Sequence, residues 1–441
     1  MVYERSGYSV CSDCLLLVRE ILAEFSMGEA FQGRGRCSFC GEEHSAERLV
    51  FSGQNAKICN ECVSEGEKEI KESRITAPAS SKKSKGDDKL VYSRVRRAIR
   101  DLSPYTVPEA EGPVKLDGNE SPFSLPAEVL DKVLAEIAKI PINRYPDPGA
   151  VGLRRKISQI TGFPFEGILL GNGSDELIDM LLITFSGGSR RVLIPVPTFS
   201  MFKLSTLALG LEALTVELDR YFDIDLEKML KVLKDSDPDL TFLASPNNPT
   251  GNSFSEERII EIIKNAKGIV VVDEAYTDFC GKSHIPLIDK YENLVVLRTM
   301  SKVGFAGIRL GILFARDHLV DEINKVRLPY NINLYTQRIA ELILENLSFV
   351  GENIQLVKRE RERVFKELMR IRGIEAFPSE ANFILLRVTD ADMVHRELIN
   401  RGVIIRNFNS PGRLENCLRV TIGAPDENDS FIRALEEIVS P

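Results

Sequence analysis

Short apolar runs alternate with amphipathic stretches through most of the chain. Apolar segments recur at residues 168–170, 192–194, 241–244, 269–272, 294–297 and 308–314. Each is short and almost wholly apolar, the pattern of a strand buried on both faces. Between them the periodicity is helical: across residues 175–185, Ile178, Leu181, Leu182 and Phe185 fall on one face. Such alternation predicts an α/β fold, a mostly parallel sheet flanked by helices on both sides. A smaller α/β region is expected from about residue 350, with strands near 381–387 and 418–422.

The pattern is broken ahead of this body. Residues 73–90 are rich in Ser, Lys and Asp and poor in large apolar side chains, the composition of a flexible linker. The expected division is a Cys-rich head at 1–72 with a core at 37–63 and a linker at 73–90. An N-terminal arm at 91–140, a large domain at 141–345 and a small C-terminal domain at 346–441 follow.

Length and composition add bounds. A chain of 441 residues with 43% hydrophobic content can bury the cores of two or three domains. A net charge of −8 argues against general binding to nucleic acid or an anionic membrane. No stretch approaches the ~20 apolar residues of a membrane span. The opening Met-Val-Tyr-Glu-Arg has no basic segment leading into an apolar one, so no secretory signal is read and a cytoplasmic protein is expected.

Six of the eight cysteines lie in C-x-x-C pairs: Cys11/Cys14, Cys37/Cys40 and Cys59/Cys62. In a reducing compartment such pairs read as metal ligands rather than disulfides. Cys37, Cys40, Cys59 and Cys62 form a four-thiolate pattern suited to tetrahedral structural Zn²⁺, which leaves no open position for catalysis. Cys11 and Cys14 have no second pair, and a half-site completed by another subunit, a remnant and free thiols all stand. Cys280 and Cys417 sit in apolar surroundings as ordinary core thiols.

The chemistry of the body is concentrated where the apolar runs end. In an open α/β sheet, loops at the carboxyl ends of the strands form the ligand crevice. Gly171-Asn-Gly-Ser-Asp-Glu176 leads from a strand into a helix and can present backbone amides to a phosphate. Pro197-Thr-Phe199 places an aromatic after the next strand. Ser245-Pro-Asn-Asn-Pro-Thr-Gly251 is a rigid turn able to hold an amide against a ligand oxygen. Asp273 ends the run Ile-Val-Val-Val, where a buried acid needs a cation, and a protonated pyridine nitrogen is one. Lys302 follows the run ending at Leu297 and is suited to imine formation with an aldehyde cofactor and to proton transfer once released. Arg309, seven residues on, suits a phosphate. Counting the apolar runs that carry these loops, Asp273 ends the fourth of five and Lys302 follows the fifth.

Residues of about 91–441 resemble the histidinol-phosphate aminotransferases of the fold-type-I pyridoxal phosphate (PLP) family. The resemblance lies in Leu102-Ser-Pro-Tyr105, Lys115-Leu-Asp-Gly-Asn-Glu-Ser-Pro122, Asn143-Arg-Tyr-Pro-Asp147, the strand-end loops above and Cys417-Leu-Arg-Val420. It implies that Lys302 carries the cofactor, Asp273 faces the pyridine nitrogen, and Tyr276 with Asn248 faces the phenolate oxygen. Phe199 would stack on the ring, where tyrosine is common in the family. Ser174, Asp175, Ser301 and Arg309 would surround the cofactor phosphate. Tyr145 would reach the phosphate of a neighbouring subunit, implying a homodimer with shared sites. Arg419 and Arg406 would bind the anionic ends of two small-molecule substrates, L-histidinol phosphate and glutamate/2-oxoglutarate, with Tyr105 and Asn119 beside them. Residues 37–63 resemble the zinc-binding module that begins ClpX-type unfoldases, through Cys-Ser-Phe-Cys-Gly41, Arg48-Leu-Val50 and Ile58-Cys-Asn-Glu-Cys-Val63. That module engages protein partners in its own family, but the ATPase that normally follows it is absent from this sequence.

Rival readings are a threonine-phosphate decarboxylase or an aromatic aminotransferase, which would use a similar cofactor site. A zinc-mediated interaction protein with an inert aminotransferase body is a reading of another class.

Overall fold

A computed structural model describes residues 93–100, 102 and 112–439 in full; for six short strands nearer the N-terminus it describes the backbone alone. The chain divides into two compact units, Met1–Arg94 and Val95–Pro441. In the first, Val2–Arg5 pairs with Tyr8–Cys11, Arg34–Arg36 with Glu43–Ser45, and Leu49–Phe51 with Lys57–Cys59, each antiparallel. Cys11 and Cys59 therefore close backbone strands. Cys14, Cys37, Cys40 and Cys62 lie outside the described residues, as do residues 73–90 and Tyr105.

The second unit is built on a seven-stranded sheet of β1 (Ile168–Asn172), β2 (Arg191–Val196), β3 (Glu212–Glu217), β4 (Leu240–Ala244), β5 (Ile269–Asp273), β6 (Leu294–Thr299) and β7 (Leu310–Phe314). Their order across the sheet is β3-β2-β4-β5-β6-β7-β1. Strands β3 to β6 are joined by parallel pairings, and β7 runs antiparallel to both its neighbours. Alternate residues point to opposite faces. Leu193, Leu243, Val270 and Val296 pack with α3 (Leu226–Ser236) and α4 (Glu256–Asn265) on one side. Val192, Phe242, Val271 and Val295 pack with α1 (Ser174–Phe185) and α2 (Ser200–Ala208) on the other. Burial on both faces is why these strands read as unbroken apolar runs.

Two expectations are corrected here. Strand β3, Glu-Ala-Leu-Thr-Val-Glu, lies at the sheet edge with both glutamates exposed, so it carries no apolar run to betray it. Counting it, Asp273 ends the fifth strand rather than the fourth, and Lys302 follows the sixth rather than the fifth. The strand expected at 308–314 begins only at Leu310. Residues Ala306–Ile308 form a 3₁₀ turn, and Arg309 has φ of +52°, outside the extended region.

A smaller antiparallel sheet of β8 (Glu375–Ala376), β9 (Phe383–Arg387), β10 (Arg406–Asn407) and β11 (Cys417–Thr421) follows in the order β8-β9-β11-β10. It packs with α5 (Ser348–Leu368), α6 (Ala391–Asn400) and α7 (Pro425–Val439) around Phe383, Leu418, Val420 and Phe431. Tyr276 and Phe279 join the same apolar cluster, so this core reaches the loop after β5. Residues Val114–Lys115 pair in parallel with Val403–Ile404 and lead the 116–120 segment to the same place. No described helix is long and apolar enough to cross a membrane.

Candidate active site

The carboxyl ends of β4, β5 and β6, the start of α1 and the inner face of the small sheet enclose a cleft of about 400 Å³. Parallel pairing in register, with Ala244 opposite Asp273 and Asp273 opposite Leu297, brings these strand ends level. Asp273, Tyr276, Asn248, Phe199, Ser174, Asp175, Ser301, Lys302, Arg309, Arg406, Arg419 and Asn119 all line the cleft.

Asp273 is buried, and the loss of hydration pushes its carboxyl up to about 7 despite a hydrogen bond from the Ala275 amide at 3.0 Å. Burial disfavours the charged form, and Asp175 and Glu274 add like charge, while Lys302 opposes the rise. A cationic ligand group beside Asp273 would reverse this balance.

Beside it, Glu274 is a buried carboxylate with partners. It accepts hydrogen bonds from Arg298 Nε and Ser283 Oγ, both at 3.0 Å, and from the His284 amide, and its Oε1 lies 3.0 Å from His284 Nδ1. Burial alone would raise this acid, but His284 and Arg298 outweigh it and hold Glu274 below the usual carboxylate range. The network ties the loop after β5 to β6 and so fixes where Asp273 and Tyr276 stand.

Tyr276 Oη accepts a hydrogen bond from Asn119 Nδ2 at 2.9 Å, which leaves the tyrosine proton free to be donated toward the cleft. Asn119 has φ of +53° and is almost wholly buried, with Thr421 Oγ1 3.0 Å from its amide. It is thus a partner of Tyr276 as well as a residue of the lining. Lys302 Nζ lies 5.9 Å from the centroid of the Tyr276 ring.

An anion cradle forms where β1 turns into α1. Gly173 has φ of +79°, and a Cβ there would meet Arg309 Nη2 at 2.4 Å, so only glycine lets the guanidinium lie so close. Arg309 donates to Asp175 Oδ2 at 3.0 Å, and its carbonyl accepts from the Gly173 amide at 2.8 Å. Helix α1 begins at Ser174 in this corner with no side-chain cap at Gly173, and the positive end of a helix dipole favours negative charge. Thr299, which the sequence analysis does not single out, donates to Ser301 Oγ at 2.9 Å and so holds that hydroxyl at the cleft.

Phe199 packs edge-on against Phe202 at 5.6 Å, and Phe202 stacks on Phe242 at 4.8 Å, so a core stack fixes its ring. Asn247 ties the loops after β2 and β4 together through Pro197, Thr198 and Thr250, which frees Asn248 to face the cleft.

The register of the small sheet sets Arg406 directly opposite Arg419. Arg419 Nη1 donates to Asn248 Oδ1 at 2.5 Å and Nη2 to the Asp117 carbonyl at 2.6 Å, while its guanidinium lies 5.2 Å from both the Phe383 and Phe408 rings. Lys115, Asp117, Glu120, Thr198 and Phe408 also line the cleft. Of these, Lys115, Asp117, Glu120 and Thr198 lie within stretches that the sequence analysis quotes without assigning them a role, whereas nothing local to Phe408 marks it. Tyr145 stands apart from the lining: it is 80% exposed and stacks on Tyr330 at 4.5 Å.

Two family models match this chain. Aminotransferase class I and II covers residues 111–435, and the ClpX C4-type zinc finger covers residues 35–72. The chain is 43% identical over 347 residues to the histidinol-phosphate aminotransferase of Aquifex aeolicus, covering 78% of this chain and 98% of that one. It is similar to the crystal structure of the histidinol-phosphate aminotransferase from Clostridium acetobutylicum, with a TM-score of 0.68 and 27% identity over 74% of this chain and 98% of the other. It shares its fold with the Sinorhizobium meliloti histidinol-phosphate aminotransferase in complex with pyridoxal-5'-phosphate, with a TM-score of 0.72 and 23% identity over 79% of this chain and 98% of that one.

Proposed function

The chain belongs to the class I and II aminotransferases, and from that premise we propose that it catalyses PLP-dependent transamination between L-histidinol phosphate and 2-oxoglutarate in histidine biosynthesis. The observation that carries the reading furthest is the convergence of Lys302 and Asp273 with Arg406 and Arg419 on one cleft.

The residues of the cleft fit the cofactor. The buried Asp273 carboxyl has no ion-pair partner among the described residues, the Gly173–Arg309 cradle suits a phosphate, and Phe199 offers an aromatic face. Lys302 would carry the cofactor, Ser174, Asp175, Ser301 and Arg309 would hold its phosphate, and Tyr276 with Asn248 would meet its phenolate oxygen. Bound there, PLP supplies an electron-withdrawing ring that stabilises charge developing at the substrate Cα.

The remaining work falls to the chain. Asp273 holds the proton on the ring nitrogen, and a cation beside it makes its ionised form favourable. Lys302 Nζ, when free, would take the proton from the substrate Cα and hold it for return. Arg419, held by Asn248 and the Asp117 carbonyl, presents its guanidinium to a carboxylate, and Arg406 opposite it meets the second anionic group. With arginines serving both ends, the same cleft accepts a phosphorylated amine and a dicarboxylic acid in turn.

The exposed group of Ile142, Tyr145, Leu328 and Tyr330 supports a homodimer, because a second copy would cover this apolar surface and bring Tyr145 to the neighbouring cofactor phosphate. In the head, Cys37, Cys40, Cys59 and Cys62 would hold one structural zinc, and the match to a four-cysteine finger over residues 35–72 supports this. A protein partner is the use we assign to that module. The limits expected from sequence (head 1–72, linker 73–90, arm 91–140, large domain 141–345 and small domain 346–441) remain our division of the chain.

The test is glutamate formation from L-histidinol phosphate and 2-oxoglutarate by the yellow, PLP-loaded protein, with carbon dioxide release from O-phosphothreonine as the control. Lys302→Ala should lose the yellow absorption and roughly 10²–10⁴-fold of the rate. Carbon dioxide release without glutamate formation would move the chain to the decarboxylase branch. Full-length protein that binds no PLP would leave the interaction-protein reading.

A further inference from the structure

A tyrosine oxygen that accepts from an amide nitrogen keeps its own hydrogen for another partner, so the orientation of the Asn119 amide decides what Tyr276 can do. That orientation is set from behind. Thr421 closes β11 and is 2% exposed. It pairs opposite Phe383, and its amide donates to the Leu116 carbonyl at 2.8 Å. Its Oγ1 accepts from the Asn119 backbone amide at 3.0 Å and donates to Asn119 Oδ1 at 3.3 Å. A backbone N–H can only donate, so it takes a lone pair of the hydroxyl and leaves the Thr421 proton for the side-chain oxygen. Among the described residues no other acceptor is bonded to that hydroxyl. Were the amide reversed, two donors would face Thr421 and its buried proton would lose its acceptor. Asn119 Nδ2 therefore points at Tyr276 Oη, 2.9 Å away. The Asn119 main chain is held as well, because its carbonyl accepts from Asn382 Nδ2 at 3.1 Å.

We propose that Thr421 is a positioning residue for the reaction: through Asn119 it fixes the direction of the Tyr276 hydroxyl, so that the tyrosine donates into the cleft. The proposal rests on the transamination reading above, in which Tyr276 meets the phenolate oxygen of the cofactor. Every link of the chain has one direction, from the Asn119 backbone amide to Thr421, from Thr421 to the Asn119 side chain, and from there to Tyr276. Asn119 and Tyr276 are 1% and 5% exposed, so water does not compete for these bonds. Thr421 does not line the cleft and acts only through its neighbours. The consequence for the cofactor is electrostatic. A hydrogen bond donated to an anionic oxygen favours the anion. With Tyr276 donating, the phenolate oxygen shares part of its charge with the tyrosine and stabilises the protonated Lys302 nitrogen less. The yellow band belongs to that protonated form, and it then fades at a lower pH than it would without the tyrosine.

The test is the pH midpoint at which the yellow band of the PLP-loaded protein fades. Thr421→Val keeps the shape and removes the hydroxyl, and should move the midpoint up by about one pH unit, the size of a hydrogen bond to a charged group. Thr421→Ser keeps the hydroxyl and should restore the wild-type midpoint. Tyr276→Phe should raise the midpoint at least as far, and adding Thr421→Val to it should give no further rise. The charged groups of the cleft, Lys302, Asp273, Asp117, Glu120, Arg406 and Arg419 among them, are the same in all these proteins. A shift seen only when the tyrosine is present therefore reports its hydroxyl. An unchanged midpoint in Thr421→Val, or an equal rise with and without Tyr276, overturns the proposal. Neutron diffraction from deuterated crystals of the PLP-free wild type gives a second reading. It should show the Thr421 deuteron directed at Asn119 Oδ1 and a deuteron of Asn119 Nδ2 directed at Tyr276 Oη, and a reversed amide also overturns the proposal. That map decides the matter if Thr421→Val does not fold. A wild type that binds PLP without transaminating strikes the proposed function and leaves both readings in force, and one that binds no PLP leaves the neutron map to decide.

Discussion

Replacing Asp273 by Asn removes one titrating proton from a fully buried position and keeps the side chain's shape, including the acceptor for the Ala275 amide. The carboxyl titrates at about 7 in the folded protein against 3.8 for the ordinary group. A raised folded pKa means that the native state holds this proton more tightly than the unfolded chain. Stability from this group is therefore complete below the unfolded pKa, falls as pH rises, and is lost once pH passes the folded value. At 1.36 kcal/mol per unit, the PLP-free wild type carries a penalty at Asp273 of about 2 kcal/mol at pH 5.5 and about 4 kcal/mol at pH 7.5. Asp273→Asn carries no such penalty. Urea unfolding of the two PLP-free proteins across this range should show the variant as the more stable, with a margin that grows by about 2 kcal/mol toward pH 7.5. Added PLP should invert the order, because the ring nitrogen supplies the missing cation to the aspartate and nothing equivalent to the amide. Parallel pH profiles for the two PLP-free proteins would refute the argument that Asp273 bears an uncompensated buried charge.

Other outcomes follow from the same geometry. Glu274→Gln leaves Arg298 without its buried partner and should destabilise the fold by about 3–5 kcal/mol in calorimetry or denaturant melts. Because the folded pKa of Glu274 is lowered, the wild type's advantage over this variant should be present above the ordinary glutamate value and shrink as pH falls through the folded one. Phe202→Ala opens a void between Phe199 and Phe242 and should cost about 3–5 kcal/mol, with weaker PLP retention on dialysis as a second sign. Arg419→Lys loses the planar fork whose two nitrogens separately meet Asn248 and the Asp117 carbonyl, and should raise KM for 2-oxoglutarate by roughly 10–100-fold with a smaller change in kcat. Metal analysis should find one zinc per full-length chain, and protein beginning at residue 91 should transaminate as well as the whole chain while holding no zinc. Two zinc ions per chain would show that Cys11 and Cys14 form part of a second site.

Much of this protein is written in its sequence because burial on two faces leaves a local trace. Strands β1, β2, β4, β5 and β6 must be apolar at nearly every position, so each run was legible along with the polar loop that ends it. Asp273 and Lys302 were legible for the same reason, as polar residues at the ends of apolar runs. The edge strand β3 was not, because a strand with glutamate at each end looks like surface. Arg309 was legible as a cation, but its left-handed backbone, which ends the 3₁₀ turn and starts β7 one residue later, was not.

Only the tertiary structure decides which residues distant in sequence meet. Asn119 reaches Tyr276 across 157 positions, and Arg419 reaches Asn248 across 171. Nothing local to either sequence position records those bonds. The chain alone determines its alternating strands and helices, the chemistry at the strand ends and the four-cysteine spacing of the head, since each follows from the spacing of side chains along a few turns or strands. The fold decides the rest: the level register of β4, β5 and β6, the charge balance at Asp273 and the facing arginines. Those depend on packing and dehydration, which are properties of neighbours in space rather than in sequence.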